Sequence, residues 1–342
     1  MMPDSSLPTY TPKDFTTDQD VRWCPGCGDY AILNAVRKTL PKLKTRREDY
    51  VFVSGIGCAA RFPYYMETYG LHSIHGRAPA FATGLKLANP DLEVWVVSGD
   101  GDLLSIGGNQ TMHALRRNVD FNILLLNNRI YGLTKGQYSP TSEFGKKTKS
   151  TPAGSPDYPV NPLSWAIGGG GTFVARSIDI DVKHLEQVML RGAAHRGTAL
   201  IEVYQDCNIY NHQTWFHASQ KATRAECTVE LEHGKPLIFG AERNKGLRMS
   251  GTRLEVVELG NGITADDLLT HDETDRGLAF LLSQLAHPKF PEPLGVLYAS
   301  DEHDTYDRVV HEQGRQAIAS RGAGDLKALL NEGRTWVIEE DE

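Results

Sequence analysis

Apolar runs rich in β-branched residues recur between residues 50 and 204, with amphipathic stretches around them. These runs predict strands at 50–55, 93–99, 121–128, 172–176 and 198–204. They do not alternate between polar and apolar positions, which is typical of strands buried on both faces of a sheet. Helical patterns predict helices at 29–40, 78–88, 107–118, 181–195, 275–287 and 303–322. The alternation of strands and helices predicts an α/β fold, a mostly parallel sheet with helices on both faces.

Two other segments depart from this alternation. Residues 134–165 are rich in Gly, Pro, Ser, Thr and Lys, which predicts a long loop of the kind that often carries function. After about residue 215 the periodic pattern weakens. We therefore expect an N-terminal arm at 1–22, a main domain at 23–215 and a C-terminal extension at 216–342. Asp179 and Asp181 are candidate N-caps for the helix at 181–195.

Charge and composition restrict the class of protein. The chain has 342 residues and a net charge of −7, which argues against nucleic acid as the main partner. No stretch approaches the ~20 apolar residues that a membrane span needs, and the N-terminus has no secretory pattern. Five cysteines are an odd count, which argues against a secreted disulfide framework. We expect a cytoplasmic protein that does not bind membranes.

Polar residues follow two of the predicted strands directly. SGDGD at 98–102 and LNNRIYGLTKGQ at 126–137 would lie at the carboxyl ends of neighbouring strands, where parallel sheets bind ligands. Asp100 and Asn128 offer the oxygen ligands that Mg²⁺ prefers. Glycines in both loops let the backbone approach a diphosphate, and a helix N-terminus after GDGD favours the anion. One Gly-Asp turn is ordinary in α/β proteins, but the pair favours a diphosphate and metal site.

This pair of loops resembles the thiamine diphosphate signature, in which GDG is followed about 25 residues later by NN. In that family the Asp, the second Asn and a backbone carbonyl hold the divalent metal. The resemblance implies that Asp100, Asn128 and the carbonyl of Ile130 hold Mg²⁺ here. It also implies the following cofactor-binding residues: Ile56, Gly57, Cys58, His75, Gly99, Asp100, Gly101, Asp102, Asn128, Tyr131, Gly132, Leu133 and Thr134.

Further motifs narrow the resemblance. CPGCG, IGC, HGRA, GDGD, NN-YGLTKGQ-SPT and Q-x-C-x-x-Y-N occur in one order between residues 23 and 215. Together they resemble the β subunit of the 2-oxoacid:ferredoxin oxidoreductases, with weaker similarity at FPEPLGVLY. The resemblance implies that Cys24, Cys27, Cys58 and Cys207 bind one [4Fe–4S] cluster. Cys227 matches no motif and is expected to be a free thiol.

The cysteines alone leave a choice of chemistry. A CxxC pair in a reducing compartment more often binds zinc than a cluster, and four cysteines also make a structural zinc site. Four thiolates from three loops at one sheet edge are equally what an iron–sulfur cluster needs. The family resemblance decides in favour of the cluster.

The resemblance implies a reversible reaction. A 2-oxoacid is decarboxylated oxidatively to acyl-coenzyme A and CO₂, and the cluster passes the electrons to ferredoxin. Arg61 and Lys135 are candidates for binding the substrate carboxylates, and His75 for contacting cofactor or substrate. Family members with YGLTKGQ followed by SPT tend to accept 2-oxoglutarate or several 2-oxoacids, so the resemblance favours 2-oxoglutarate as the substrate. Pyruvate, or several 2-oxoacids, is the alternative.

Only one half of a thiamine site is visible in this chain. The resemblance implies an α subunit that supplies the pyrimidine-binding half and the coenzyme A contacts, in a dimer of αβ units. Two other interpretations remain at this point. A decarboxylase without electron transfer would not need the cysteines, and a zinc-stabilised, non-catalytic binding subunit would have no chromophore and no turnover.

Overall fold

An eight-stranded sheet forms the centre of the molecule, with the strand order β2-β1-β3-β4-β6-β5-β11-β7. The computed structural model describes residues 8–333, 335–336 and 338. The strands of this sheet are β1 (Tyr50–Ser54), β2 (Tyr69–His72), β3 (Glu93–Gly99), β4 (Asn122–Asn127), β5 (Phe173–Ile178), β6 (Ala199–Tyr204), β7 (Thr228–Leu231) and β11 (Glu292–Ala299). A separate antiparallel sheet has the order β10-β9-β8, formed by β8 (Ile238–Phe239), β9 (Lys245–Ser250) and β10 (Arg253–Glu258).

The predicted α/β class is confirmed. The five predicted strands are β1, β3, β4, β5 and β6, and they lie side by side and parallel. All residues of β1, β4, β5 and β6 are buried, as expected where helices cover both faces. Because these strands are parallel, their carboxyl ends meet at one edge of the sheet.

Helices pack on both faces of this sheet. The helices of the described residues are α1 (Asp29–Thr39), α2 (Ala78–Ala88), α3 (Gly108–Arg117), α4 (Pro162–Gly168), α5 (Val182–Ala194), α6 (Phe216–Ser219), α7 (Arg224–Cys227), α8 (Arg276–Ser283), α9 (Tyr306–Arg321) and α10 (Leu326–Leu330), of which α10 has no buried residue. Phe52 and Trp95 pack with side chains of α1 and α5, whereas Val53 and Val96 pack with α2 and α3 on the opposite face. None of the helices among the described residues is long and apolar enough to cross a membrane.

Three local expectations change. The helix expected at 275–287 ends at Ser283, before the turn that leads to Pro288. The long loop expected at 134–165 ends in α4, whose N-terminus is capped by the side chain of Asn161. Asp181 caps α5 by accepting a hydrogen bond from the His184 amide, but Asp179 instead accepts from the Asp206 amide.

The C-terminal region contributes to the main sheet as well as to the small one. β11 pairs antiparallel with β5, and β7 extends the sheet beyond β11. The boundary that we expected at 215 therefore does not coincide with an edge of the large sheet. The N-terminal arm also packs on the body, since Phe15 is fully buried in the core; residues 1–7 of that arm lie outside the described residues.

Candidate active site

Asp100 directly follows β3 and is buried, so the hydrogen bonds of its carboxylate come from the protein. Its Oδ2 accepts hydrogen bonds from Ser139 Oγ at 2.5 Å and Thr141 Oγ1 at 2.6 Å. Burial raises the pKa of this carboxyl group, and the two hydroxyl donors oppose that rise. Sequence reasoning did not assign a role to either hydroxyl, although both belong to the SPT motif.

A second group of oxygen atoms lies at the end of β4. Asn128 Oδ1 accepts a hydrogen bond from the Ile130 amide at 3.1 Å, which closes a tight turn. The carbonyl of Ile130 has no hydrogen-bond partner among the described residues, although the residue is buried. A buried carbonyl without a partner is costly unless a ligand binds it. Asp100, Asn128 and this carbonyl therefore fit the oxygen ligands of Mg²⁺.

Both groups face one cavity, which we call the diphosphate cavity. It is lined by Asp29, Ile56, Gly57, Cys58, Ala59, His75, Gly99, Asp100, Gly101, Asp102, Leu126, Asn128, Ile130, Tyr131, Gly132, Leu133, Thr134 and Gln205. The structure thus brings together every cofactor-binding residue that we expected from the sequence. Gly101 is required for packing, because a Cβ there would lie 2.2 Å from the ring of Tyr131. Tyr131 in turn donates a hydrogen bond to the Gly101 carbonyl at 2.9 Å.

Asp102 connects three loops around this cavity. Its Oδ1 accepts hydrogen bonds from the amides of Ile56 and Gly76 and from His75 Nδ1, at 3.1, 2.7 and 2.5 Å. Its Oδ2 accepts from Ser98 Oγ at 2.6 Å. A carboxylate can only accept here, so His75 Nδ1 donates a hydrogen bond to Asp102, and Nε2 has no hydrogen-bond partner among the described residues. Asp102 therefore orients His75 at the wall of the cavity.

Four cysteines line a second, adjacent cavity, which we call the thiol cavity. Its volume is about 190 Å³, and its lining is Arg22, Trp23, Cys24, Cys27, Asp29, Cys58, Arg61, Asn128, Gly132, Leu133, Lys135, Gln205, Cys207, Asn208 and Tyr210. Burial raises the pKa of Cys58 to about 12 and also raises the pKa of Cys207. Gly132 lies close to both of these thiols, because a Cβ there would be 3.4 Å from Cys207 Sγ and 3.7 Å from Cys58 Sγ. Cys227 lies outside both cavities.

The open space between the thiols bears on the choice between zinc and a cluster. Four thiolates that bind one zinc ion at about 2.3 Å close around it and leave no cavity. An iron–sulfur core of eight atoms needs such a cavity between its ligands. Among the described residues, no three His, Cys, Asp or Glu side chains are grouped so that they could hold a single metal ion. Four cysteines that line one open cavity therefore fit an iron–sulfur cluster.

The two cavities share a wall. Asp29, Cys58, Asn128, Gly132, Leu133 and Gln205 line both of them. Gln205 accepts a hydrogen bond from Asn128 Nδ2 at 2.8 Å and donates to Cys27 Sγ at 3.3 Å, so one side chain connects the two sites. Sequence reasoning noticed Gln205 only as part of a motif.

Asp29 in the same wall is 1% exposed, and neither of its oxygens has a hydrogen-bond partner among the described residues. Burial raises its pKa to about 7; the neighbouring Cys27 thiol opposes this rise and the charge of Asp179 adds to it. Sequence reasoning gave it no role, because nothing in CPGCGDY shows that its carboxyl group faces two cavities.

Arg61 and Lys135 line the thiol cavity, whereas neither lines the diphosphate cavity. Lys135 is exposed and adopts a left-handed conformation with φ of 75°. Arg61 donates a hydrogen bond to the carbonyl of Arg22 at 3.3 Å. The structure thus places both cations on the cysteine side of the shared wall.

Comparison with known proteins agrees with this geometry. The family described as "Thiamine pyrophosphate enzyme, C-terminal TPP binding domain" matches residues 55–203. The "2-oxoglutarate oxidoreductase subunit KorB" of Mycobacterium tuberculosis is 51% identical over 331 residues, covering 96% of this chain and 88% of that protein. The chain belongs to the family of the 2-oxoacid:ferredoxin oxidoreductase β subunits. It is thus the β subunit of a thiamine diphosphate-dependent 2-oxoacid oxidoreductase, one part of a multisubunit enzyme.

Two further relatives extend the comparison. The "2-oxoacid:ferredoxin oxidoreductase subunit beta" of Sulfolobus sp. is 50% identical over 191 residues, which cover 55% of this β subunit and 63% of the relative. A solved structure covers 97% of the β subunit with a TM-score of 0.76 and 30% identity, and 98% of the solved chain is covered. It is described as 2-oxoglutarate:ferredoxin oxidoreductase from Magnetococcus marinus with 2-oxoglutarate, coenzyme A and succinyl-CoA bound.

Proposed function

We propose that this β subunit, together with an α subunit, oxidises 2-oxoglutarate and coenzyme A to succinyl-coenzyme A and CO₂. The reaction releases two electrons, which pass through a [4Fe–4S] cluster in the thiol cavity to ferredoxin. The observation that carries this proposal is the wall shared by the two cavities, through which electrons would have a short path. The substrate assignment is supported by the names of the relatives and by the ligands of the Magnetococcus marinus structure.

In this proposal Asp100, Asn128 and the Ile130 carbonyl hold Mg²⁺, which binds the diphosphate. Thiamine diphosphate, when bound, supplies the electron sink that makes loss of CO₂ from a 2-oxoacid possible. The chain's own contribution is to hold the oxygen ligands in place before the ion arrives. Ser139 and Thr141 restrict the Asp100 carboxylate, and the Gly101 region leaves space for the diphosphate.

Cys24, Cys27, Cys58 and Cys207 hold the cluster. A [4Fe–4S] cluster, when bound, supplies a one-electron acceptor for each of the two electrons. Cys24 is exposed, so the thiol cavity reaches the surface of this subunit there. We propose that ferredoxin accepts electrons on that side.

The remaining charged residues fit the substrate. We propose that Arg61 and Lys135 attract the carboxylates of 2-oxoglutarate from the cysteine side of the shared wall, outside the diphosphate cavity, since a dicarboxylate needs one more cation than pyruvate does. His75 presents Nε2 to the diphosphate cavity because Asp102 holds Nδ1. It can therefore donate or accept a proton at a cofactor or substrate atom there.

The α subunit would close the diphosphate cavity from outside. Ile56 and Leu133 line that cavity, and their side chains are 36% and 44% exposed. Ile74, which precedes His75 in the sequence, is 68% exposed. Apolar side chains around a binding site favour burial against a partner. We propose an αβ unit that dimerises further.

The test is an anaerobic assay of the purified αβ complex. Each of 2-oxoglutarate, pyruvate and 2-oxobutyrate is supplied with coenzyme A and oxidised ferredoxin, and both acyl-coenzyme A and reduced ferredoxin are measured. We expect 2-oxoglutarate to have the highest kcat/KM. Equal or better use of pyruvate would change the substrate assignment, and a colourless complex with stoichiometric zinc would contradict the electron-transfer function.

A further inference from the structure

Two of the proposed Mg²⁺ ligands directly follow β4, and the turn between them contains a strained residue. Arg129 lies between Asn128 and Ile130 and has φ of 57°, in the left-handed region that favours glycine. A side chain with a Cβ is disfavoured in this conformation, by enough to change a local equilibrium about tenfold. The turn needs this conformation, because it lets the Ile130 amide donate to Asn128 Oδ1 while the Ile130 carbonyl remains free.

Contacts of the Arg129 side chain offset this strain. Its guanidinium carbon lies 3.7 Å from the ring centroid of Trp215, and Trp215 stacks on Tyr204 at 3.5 Å with an interplanar angle of 7°. The guanidinium also forms an ion pair with Glu143, with 3.2 Å between Arg129 Nη1 and Glu143 Oε1. Trp215 and Tyr204 are buried, so the guanidinium rests on an immobile surface.

The backbone around Arg129 is held by the same region. Trp215 Nε1 donates to the Asn127 carbonyl at 2.8 Å, and Ser142 Oγ donates to the Arg129 carbonyl at 2.6 Å. Asn211 Nδ2 donates to the Asn128 carbonyl at 2.9 Å. These bonds restrict the peptide planes on both sides of Arg129.

Arg129 has no direct path to a ligand. It lines neither the diphosphate cavity nor the thiol cavity, and its guanidinium points to Trp215 and Glu143 instead. Any effect of this residue on the ion must therefore pass through the backbone of the turn. This separates it from an arginine that binds phosphate through its charge.

We infer that Arg129 is a positioning residue whose stacking on Trp215 fixes the left-handed turn and thereby sets the affinity of the β4 ligands for Mg²⁺. This inference rests on the proposed function of the diphosphate cavity. The planar guanidinium contributes more to the effect than the positive charge alone, because a flexible ammonium keeps the charge but does not stack in the same way.

The test compares Arg129→Ala, Arg129→Gly and Arg129→Lys in the purified αβ complex. The dissociation constant of Mg²⁺ is measured by calorimetric titration at saturating thiamine diphosphate, and kcat is measured at saturating Mg²⁺. Arg129→Ala should weaken Mg²⁺ binding about tenfold more than Arg129→Gly, since glycine adopts the turn without strain. Arg129→Lys should resemble Arg129→Ala. For all three variants, kcat at saturating Mg²⁺ should fall by a smaller factor than the affinity for Mg²⁺.

Three outcomes would overturn the inference: wild-type affinity in Arg129→Ala, equal losses in the Ala and Gly variants, or full rescue by Lys. If the alanine variant does not fold, the glycine variant still tests the inference. A loss of Mg²⁺ affinity in Arg129→Gly that equals or exceeds the loss in Arg129→Lys would also contradict the inference. A wild-type complex that binds no thiamine diphosphate would instead contradict the proposed function.

Discussion

The diphosphate cavity and the thiol cavity share a wall but are held in shape by different means. Around the first, the protein supplies hydrogen bonds to two carboxylates: Asp100 accepts from two hydroxyls, and Asp102 accepts from four donors. Around the second, Cys27, Cys58 and Cys207 are partly buried, and burial raises the pKa of each thiol, although Gln205 donates to Cys27 Sγ and backbone amides oppose the rise at Cys207.

This difference concerns preorganisation. Oxygen ligands that are already oriented lose little freedom when Mg²⁺ binds, so the first site is prepared before its ligand arrives. Buried thiols with raised pKa values resist ionisation until a positively charged metal centre binds them. We therefore expect the thiol cavity to depend on its metal centre for its geometry more than the diphosphate cavity depends on Mg²⁺.

The largest expected effect separates the two cavities. Cys207→Ser should abolish cluster binding and electron transfer to ferredoxin, because Cys207 lines only the thiol cavity. Iron content and absorbance near roughly 400 nm measure the cluster. Binding of thiamine diphosphate should stay within a few-fold of wild type. Cys227→Ser is the matched control, with unchanged absorbance. If Cys207→Ser lost both the cluster and the binding of thiamine diphosphate, the two cavities would not be separable.

The converse change is Asp100→Asn. It should weaken Mg²⁺-dependent binding of thiamine diphosphate by at least about 100-fold, since even partners of metal ligands contribute about 10- to 100-fold. Its visible absorbance should equal that of the wild type. Calorimetry of the αβ complex gives the first quantity and the anaerobic spectrum gives the second. Unchanged Mg²⁺ affinity would remove Asp100 from the proposed ligands.

Smaller effects should come from the hydroxyls that hold Asp100. Ser139→Ala and Thr141→Ala should each weaken Mg²⁺ binding about tenfold, because each removes one hydrogen bond to Oδ2. Thr141→Ser keeps the hydroxyl and serves as the control. If Thr141→Ser lost as much affinity as Thr141→Ala, the methyl contacts rather than the hydrogen bond would matter.

The smallest effect on either cavity should come from the opposite end of β3, where a substitution changes stability instead. Burial, together with the charge of Asp120, raises the pKa of Glu93 to about 7. The folded state then binds more protons than the unfolded state between roughly pH 4.5 and 7, so this group's contribution to stability falls as the pH rises through that range. Glu93→Gln should add about 1–3 kcal/mol to the free energy of unfolding at pH 8, and little at pH 5.

Thermal unfolding at the two pH values measures this, with Mg²⁺ affinity as the control readout. A stabilisation of Glu93→Gln that is equal at pH 5 and pH 8 would show that the carboxyl group is not the cause. A change in Mg²⁺ affinity would show that the two ends of β3 are coupled.

The central strands and most of the site residues could be predicted from the sequence. Unbroken apolar runs identified β1, β3, β4, β5 and β6, because burial on both faces leaves a simple pattern. The residues at their carboxyl ends followed from the rule that parallel strands end at one edge. Cys24, Cys27, Cys58 and Cys207 do share one cavity.

Long-range contacts could not be anticipated in the same way. β7 and β11 join the large sheet from a region with weak periodicity, and β11 runs against its neighbour β5. The roles of Ser139 and Gln205 depend on which distant side chain each one meets, 39 and 77 positions away. No local sequence pattern encodes these contacts. The role of Arg129 depends in the same way on Trp215.

The central claim is that electrons released at the diphosphate cavity pass into the thiol cavity across their shared wall. The most direct measurement is the anaerobic visible spectrum of wild-type and Asp100→Asn complexes, after 2-oxoglutarate with coenzyme A and then after dithionite. We predict that the substrate bleaches the wild-type band, whereas the variant responds to dithionite only. Bleaching of the Asp100→Asn cluster by 2-oxoglutarate, or a wild-type band that the substrate leaves unchanged, would contradict the account.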